Sequence, residues 1–282
     1  MQNNTLRNQS LAGGRRPRRV IDLVLQSVQR SDSVRATQKM RAELKLCGLA
    51  AVRARFERDP GSIQRLYFDQ QTGRRIGVIC RALAAARKVY RCVEPAELDR
   101  VSGTLHHGGV VAVVAAPALR EPTRAEVRRW AQEDAVVLLL DRIGNAHNLG
   151  AIARTAAFLG VAHIVIPADP AAAVPNEAAY RVAEGGLEHL TVWRTANLTV
   201  TIAALKAAQF DVVGAATRGG VATASRAAPL ALVMGNEETG LAPAVAAACT
   251  RLVTVRGRGA VESLNVSVAA GILLYALWPR ER

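Results

Sequence analysis

The sequence predicts an α/β protein. A large domain is built on a parallel sheet with helices on both faces, preceded by a small α/β domain and a basic tail. Three observations carry that prediction. From residue 135 onward, short apolar runs alternate with helical segments, the pattern of successive strand–helix–strand units. Those runs are rich in Val, Leu and Ile without polar alternation, as expected of strands covered on both faces. The chain has 282 residues, 50% of them hydrophobic, which is enough to build two cores.

Residues 1–36 hold Arg15, Arg16, Arg18 and Arg19 beside Gly13, Gly14 and Pro17. So dense a basic cluster with Gly and Pro buries too little apolar surface to fold alone. It reads as a flexible arm that gains affinity by displacing counterions from phosphates; a solvated tail without a role is the competing reading. The stretch 20–28 is apolar enough to dock, with no partner assigned. Residues 37–118 form the small domain. It has a helix at 49–58 stopped by Asp59-Pro60-Gly61, a strand at 63–68 and a basic amphipathic helix at 74–88. A strand at 89–93, a short helix at 96–101 and an apolar strand at 110–115 complete it. Between the last two stands Ser102-Gly103-Thr104-Leu105-His106-His107-Gly108-Gly109. This turn offers backbone amides to a phosphate, or is simply structural. With no carboxylate or thiol beside the histidines in sequence, a metal is not expected. Residues 119–134 read as a linker carrying a solvent-exposed helix at 124–132 with little apolar face.

The large domain, 135–282, has strands at 135–140, 162–166, 190–194, 211–216, 231–234 and 251–255. Its helices lie at 149–159, 177–183, 198–208, 242–248 and 265–277. The first strand runs into the polar turn Asp141-Arg142-Ile143-Gly144-Asn145-Ala146-His147 and a helix expected to begin at Asn148. In an open parallel sheet, ligands bind at the carboxyl ends of the strands.

A formal net charge of +14 favours a polyanionic partner, and aromatic residues at 4% are too sparse for repeated base-stacking platforms. A merely soluble basic surface would show the same charge. Cys47, Cys80, Cys92 and Cys249 are scattered without a metal-binding spacing, which suggests buried free thiols in a reducing cytoplasm and no zinc. No apolar run approaches the ~20 residues that span a bilayer, and the polar start has no signal-peptide core; no membrane association is expected.

Three turns follow apolar strands and converge on one sheet edge. They are Asn148-Leu149-Gly150 with Arg154 further along its helix, Gly235-Asn236-Glu237-Glu238-Thr239-Gly240-Leu241, and the stretch from Val255 to Asn265. No strand is followed by the glycine fingerprint of dinucleotide folds, and no phosphate-binding loop with its lysine is present. Dehydrogenase and nucleotide-hydrolase readings lose their support, as does acyl transfer, since no serine stands in a nucleophile elbow. The remaining set is backbone donors, one arginine, one or two carboxylates and amides. It suits a small polar cofactor held by the main chain and a phosphate clamped by arginine.

These motifs have a family likeness. Asn148-Leu149-Gly150-x-x-x-Arg154, Gly235-Asn236-Glu237-x-x-Gly240-Leu241 and Glu262-Ser263-Leu264-Asn265-Val266-Ser267-Val268-Ala269 occur in order. Together they resemble the SpoU/TrmH-like RNA 2′-O-ribose methyltransferases of the SPOUT class over residues 135–277. The region 39–117 resembles the same family's substrate-binding domain, which makes 37–118 an RNA-binding domain by that likeness. The resemblance implies a C-terminal trefoil knot, an exception to the rule against knotted chains. It also implies S-adenosyl-L-methionine as methyl donor, rRNA or tRNA as substrate, a homodimer through the knotted domain, and a site completed at the interface. By it, Gly235, Val255 and Leu264 contact the cofactor through the main chain, and Arg154, Asn148, Glu237, Ser263 and Asn265 form the catalytic set.

Family proposals give the arginine matching Arg154 the role of base, but a guanidinium stays protonated to a pKa above ~12. A clamp on an RNA phosphate that also stabilises charge on the 2′-oxygen is the physically simpler role. Asn148, Ser263 and Asn265 then orient arginine and ribose, and Glu237 fixes its loop or pairs with arginine. Structural roles compete: Asn148 as helix N-cap, Glu237 as a surface charge, Ser263 as cap of the last helix. Two departures stand out. Val255-Arg256-Gly257 replaces the family's Ile-Pro-Met, loosening the expected cofactor wall, and Ala146 stands where a proline is frequent. A knotted RNA-binding or ribosome-assembly factor with little or no turnover is the alternative function.

Overall fold

The computed structural model describes residues 42–221 and 229–277. The arginine cluster at 15–19 and the apolar stretch at 20–28 lie outside them.

The first sheet has four strands in the order β1-β4-β2-β3: β1 (Glu43–Cys47), β2 (Ile63–Phe68), β3 (Val89–Cys92) and β4 (Val110–Ala115). β4 runs antiparallel to both β1 and β2, while β2 and β3 are parallel. Helices α1 (Leu49–Arg58), α2 (Gln70–Gly73), α3 (Gly77–Ala85) and α4 (Pro95–Ser102) connect them. The strand β1 and the single turn α2 were not expected. The helix expected over 74–88 is shorter, because Gly73 and the turn after it delay the start to Gly77.

The second sheet is wholly parallel, in the order β10-β8-β9-β5-β6-β7. Its strands are β5 (Val137–Asp141), β6 (His163–Pro167), β7 (Thr191–Thr195), β8 (Asp211–Ala215), β9 (Leu230–Gly235) and β10 (Arg251–Val253). The helices are α5 (Arg124–Gln132), α6 (Ala146–Phe158), α7 (Glu177–Ala183), α8 (Leu198–Ala207), α9 (Pro243–Ala248) and α10 (Val266–Leu277). Because successive side chains point to opposite faces, Leu138 and Leu140 pack with α6, α7 and α10, whereas Val137 and Leu139 pack with α5, α8 and α9. That two-sided burial explains the unbroken apolar runs.

Two readings need correction. The helix at 124–132 is not solvent-exposed on all sides. Val127 and Trp130 are buried against the sheet, and the Trp130 ring stacks on His163 at 4.4 Å and meets Trp193 edge-on at 5.1 Å. Two apolar residues spaced i, i+3 suffice for a docking face. The small domain's core is also not separate: Leu44, Leu46 and Phe56 belong to one cluster with Ala179, Tyr180 and Leu187 of the large domain. Of the cysteines, Cys92 is exposed and the others partly covered; burial pushes the Cys47 and Cys249 thiols up to about 11. No described helix is long and apolar enough to cross a membrane.

Candidate active site

All strands of the second sheet are parallel, so the turns after β5, β8, β9 and β10 emerge at one edge. The turn after β5 is fixed by Asp141, which is 3% exposed. Its Oδ2 accepts the Ala242 amide at 2.6 Å and its Oδ1 the Arg142 Nε at 3.0 Å. Asn145, not Asn148, caps α6 by accepting the His147 amide at 2.8 Å, so the helix begins at Ala146. Asn148 is left free to face the loops. Its Nδ2 donates to Glu237 Oε1 at 2.6 Å, and its Oδ1 accepts from Asn265 Nδ2 at 3.1 Å. One side chain therefore bridges the loops after β9 and β10.

The loop after β9 is wound around Asn236. Its Oδ1 accepts the amides of Glu238 and Thr239, each at 3.0 Å, and its Nδ2 donates to the Arg142 carbonyl at 2.8 Å. The main chains of Asn236 and Gly240 exchange bonds of 3.0 and 2.9 Å. Only glycine fits at Gly235, where a Cβ would stand 2.4 Å from the backbone of Gly240 and Leu241. At the last loop, Asn265 caps α10, its Oδ1 accepting the Ser267 amide at 2.9 Å and hydroxyl at 2.6 Å. Ser263 is thus not the cap. Asn265 has two duties, ending one helix and touching Asn148.

Between these loops lies a cavity of about 510 Å³, a size common for small-molecule sites. Gly235, Val255, Ser263 and Leu264 line it with Glu237 and Glu262, and Met234, Leu241, Leu252 and Leu273 supply apolar wall. Ala215, Ala216, Thr217 and Arg218 close the β8 side. Arg218 pairs with Glu262 at 3.2 Å, both largely exposed. This mixture of apolar wall, loop backbone and acidic side chains fits S-adenosylmethionine, whose adenosine is flat and whose amino and sulfonium groups are cationic. Val255-Arg256-Gly257 lines the same cavity, so the loss of the family's proline and methionine leaves a wall in place.

Arg154 stands elsewhere. Its Nη2 lies 3.0 Å from Glu184 Oε2, with both side chains 57% exposed. It borders a second cavity of about 390 Å³ with Arg53, Glu57, Phe158 and His189, between α1 and the end of α6. Within one chain the structure brings Asn148, Glu237 and Asn265 together and leaves Arg154 apart; Glu237 bonds Asn148 rather than the arginine. Asp141, Asn236 and the 215–218 segment were not assigned from sequence. Asn236 lay inside a quoted motif, and 215–218 follows a strand at the same edge, so position alone would have flagged both.

The Ser102–Gly109 turn follows the structural of its two readings rather than the phosphate-binding one. His107 is buried; its Nε2 is 3.1 Å from Asp99 Oδ1, and its Nδ1 accepts the Gly109 amide at 3.1 Å. A carboxylate does lie near, brought by α4, and that glycine amide is already engaged. Among the described residues no group of three or more His, Cys, Asp or Glu is placed to hold a metal ion.

The fold and this three-loop cavity define an α/β protein with a small-molecule-sized site at the carboxyl edge of its sheet. Residues 135–275 match the SpoU rRNA Methylase family, and residues 45–119 match the domain described as RNA 2′-O ribose methyltransferase substrate binding. The chain belongs to the SpoU rRNA methylase family. It is 34% identical over 245 residues to an uncharacterized tRNA/rRNA methyltransferase, YfiF, of Escherichia coli O157:H7, covering 85% of this chain and 69% of that one. It is 32% identical over 232 residues to the 23S rRNA (guanosine-2′-O-)-methyltransferase RlmB of Nitrosomonas europaea, covering 81% and 88%. Among solved structures, an AdoMet-bound rRNA methyltransferase from Sinorhizobium meliloti superposes with a TM-score of 0.69 at 22% identity, over 91% of this chain and 93% of that one.

Proposed function

We propose that this SpoU-family methyltransferase moves the methyl group of S-adenosylmethionine to a ribose 2′-hydroxyl of ribosomal RNA. The observation that carries the reading is the Asn148 bridge, which ties Glu237 and Asn265 together at the cavity between the β9 and β10 loops. When bound, S-adenosylmethionine supplies a methyl group on a positively charged sulfur. Gly235, Val255 and Leu264 hold it by their main chains, and Leu241, Leu252 and Leu273 cover its apolar part. Asn148, Ser263 and Asn265 orient the ribose. Glu237 holds the Asn148 amide and fixes its loop. Holding the 2′-hydroxyl where the methyl is delivered would supply much of the barrier reduction, roughly 7–11 kcal/mol in the best-oriented systems; the C–S bonding pair would stay on sulfur as a neutral thioether and the hydroxyl proton would pass to solvent. Arg154 holds an RNA phosphate through its planar guanidinium and stabilises charge on the 2′-oxygen.

In this reading residues 37–118 bind RNA, 119–134 link, and 135–282 form the methyltransferase domain with the family's trefoil knot. Support for the knot comes from β10. It pairs with β8 on one side, and its Val253 is bridged to Val221 on the other, so Val221, which follows β8 in the chain, lies outside the strand that leads into α10. A homodimer belongs to the same reading. Val268, Ile272 and Tyr275 form an exposed apolar stripe on α10, opposite the face packed on α6, and such a stripe suits a second copy of the chain. Arg154, outside its own chain's cavity, then serves the partner's. The free cysteines accord with a cytoplasmic site of action.

The test is methyl transfer from tritiated S-adenosylmethionine into ribosomal RNA from a strain lacking the gene. Incorporation by the wild type and its loss in Arg154→Ala support the reading. RNA binding without incorporation by either protein would favour the assembly-factor alternative.

A further inference from the structure

The turn between α7 and β7 touches both the RNA-binding domain and Arg154. Glu184 adopts a left-handed conformation at φ 44, Gly185 another at φ 92, and a single 3-10 turn follows at Gly186–Glu188. The two glycines face opposite ways. A Cβ on Gly185 would lie 3.2 Å from the Ala50 carbonyl and 3.3 Å from the Ala54 Cβ, both on α1. A Cβ on Gly186 would lie 2.8 Å from the Cα of Arg154 itself. The turn is therefore wedged between α1 of the first domain and α6 of the second, with room for no side chain at Gly186.

Each end of the turn carries a carboxylate paired with an arginine, exposed at Glu184 and buried at Glu188. Glu184 holds Arg154 at 3.0 Å. Glu188 accepts Arg55 Nε from α1 at 2.9 Å in an ion pair whose side chains are 7% and 2% exposed, and Arg55 Nη2 also donates to the Tyr180 hydroxyl at 3.3 Å. Arg58, one turn further along α1, donates to the carbonyls of Glu188 and Leu190. An ion pair buried this deeply is a poor adhesive, because desolvation offsets most of its attraction, and apolar residues of equal volume hold as well or better. What a buried, directional pair adds over apolar contact is a single register.

We propose that residues 184–188 act as a positioning strap. The Arg55–Glu188 pair sets the RNA-binding domain, Glu184 sets Arg154, and RNA held on the first domain meets Arg154 at one fixed spacing. The proposal rests on the reading of Arg154 as the group that meets the RNA phosphate. Arg55, Glu184 and Glu188 are positioning residues in this scheme; none lines the cofactor cavity.

The experiment uses the full-length protein, ribosomal RNA from a strain lacking the gene, and tritiated S-adenosylmethionine. Three variants are compared: Glu184→Gln, Glu188→Gln, and the double substitution Arg55→Met with Glu188→Leu. All three should bind S-adenosylmethionine with unchanged affinity by calorimetry. Glu184→Gln should lower kcat roughly tenfold or more with little change in KM for RNA, since small misplacements cost up to about a hundredfold. Glu188→Gln, which strands the Arg55 charge, should lose both kcat and thermal stability. The double variant is decisive because it removes both charges: it should regain the melting temperature but keep the low kcat. Wild-type kcat in the double variant would reduce the pair to adhesive and overturn the strap, as would wild-type kcat in Glu184→Gln. Full activity in Arg154→Ala would instead fail the reading of Arg154 itself and take the strap with it.

Discussion

At the scale of the residue, Asn148 links the loops after β9 and β10, and its removal should be felt in catalysis more than in folding. Asn148→Ala loses a charge-assisted bond to Glu237 and a neutral one to Asn265. With the loops left unpinned, kcat/KM for RNA should fall roughly ten- to hundredfold in steady-state methyl-transfer assays, since small misplacements cost up to about a hundredfold, while the melting temperature stays near wild type because the lost bond is exposed and contributes little to folding. Gly235→Ala should behave in the opposite way. Its Cβ has no space beside Gly240 and Leu241, overpacking costs about 1–3 kcal/mol, and the loop that lines the cavity must shift. Weaker S-adenosylmethionine binding by calorimetry, with a lower melting temperature, checks it. Asn148, Glu237 and Asn265 stand out in the sequence through the family likeness of their motifs, and the structure brings the three side chains together. The separation of Arg154 from them follows from helix geometry: six residues on, at about 3.6 per turn, falls on another face. The Glu184 partner could not be read, because a tertiary turn supplies it.

At the scale of the element, the regular strands and helices were legible to within a few residues wherever apolar periodicity was strong. The helix at 49–58, the strand at 63–68 and the helix at 177–183 coincide with α1, β2 and α7. β1 was missed because its five residues, Glu-Leu-Lys-Leu-Cys, are too few to set a period apart from the polar stretch before them. α5 was misjudged because its mean composition is polar, while burial depends on two residues. Trp130→Ala tests that correction: a fully buried tryptophan should cost about 3–5 kcal/mol in denaturant unfolding, whereas an exposed one would cost almost nothing. The same cluster sets a pH dependence. Burial, aided by Arg129, holds the His163 imidazole down at about 4 against an ordinary 6.5. Between those values the unfolded chain binds the proton more readily, so stability is full above pH 6.5 and is lost as pH falls through this window. Thermal unfolding from pH 7 to 4 should show that loss, and His163→Gln should flatten it.

At the scale of the whole molecule, the net charge of +14 and the proposed dimer and strap give testable expectations for how RNA is held. A protein of net charge +14 that grips phosphates should lose RNA affinity steeply with salt, by about 10³ or more between 50 and 200 mM if six or more phosphates are contacted. Filter binding across that range measures it. Ile272→Asp, which places a charge in the exposed α10 stripe, should give monomers by light scattering and abolish turnover if the partner completes the site. Two successive α/β regions, each of which supplies one of the two sheets, were legible in the sequence. Their joining into one core through Arg55, Tyr180 and Glu188 was not, because no local pattern marks a charged pair as buried. The most direct test of the central claim is mass spectrometry of nucleosides from ribosomal RNA treated with this protein and deuterium-labelled S-adenosylmethionine. The account predicts one nucleoside with the labelled methyl on its ribose, absent with Arg154→Ala. Label on a base, or none with the wild type, would contradict it.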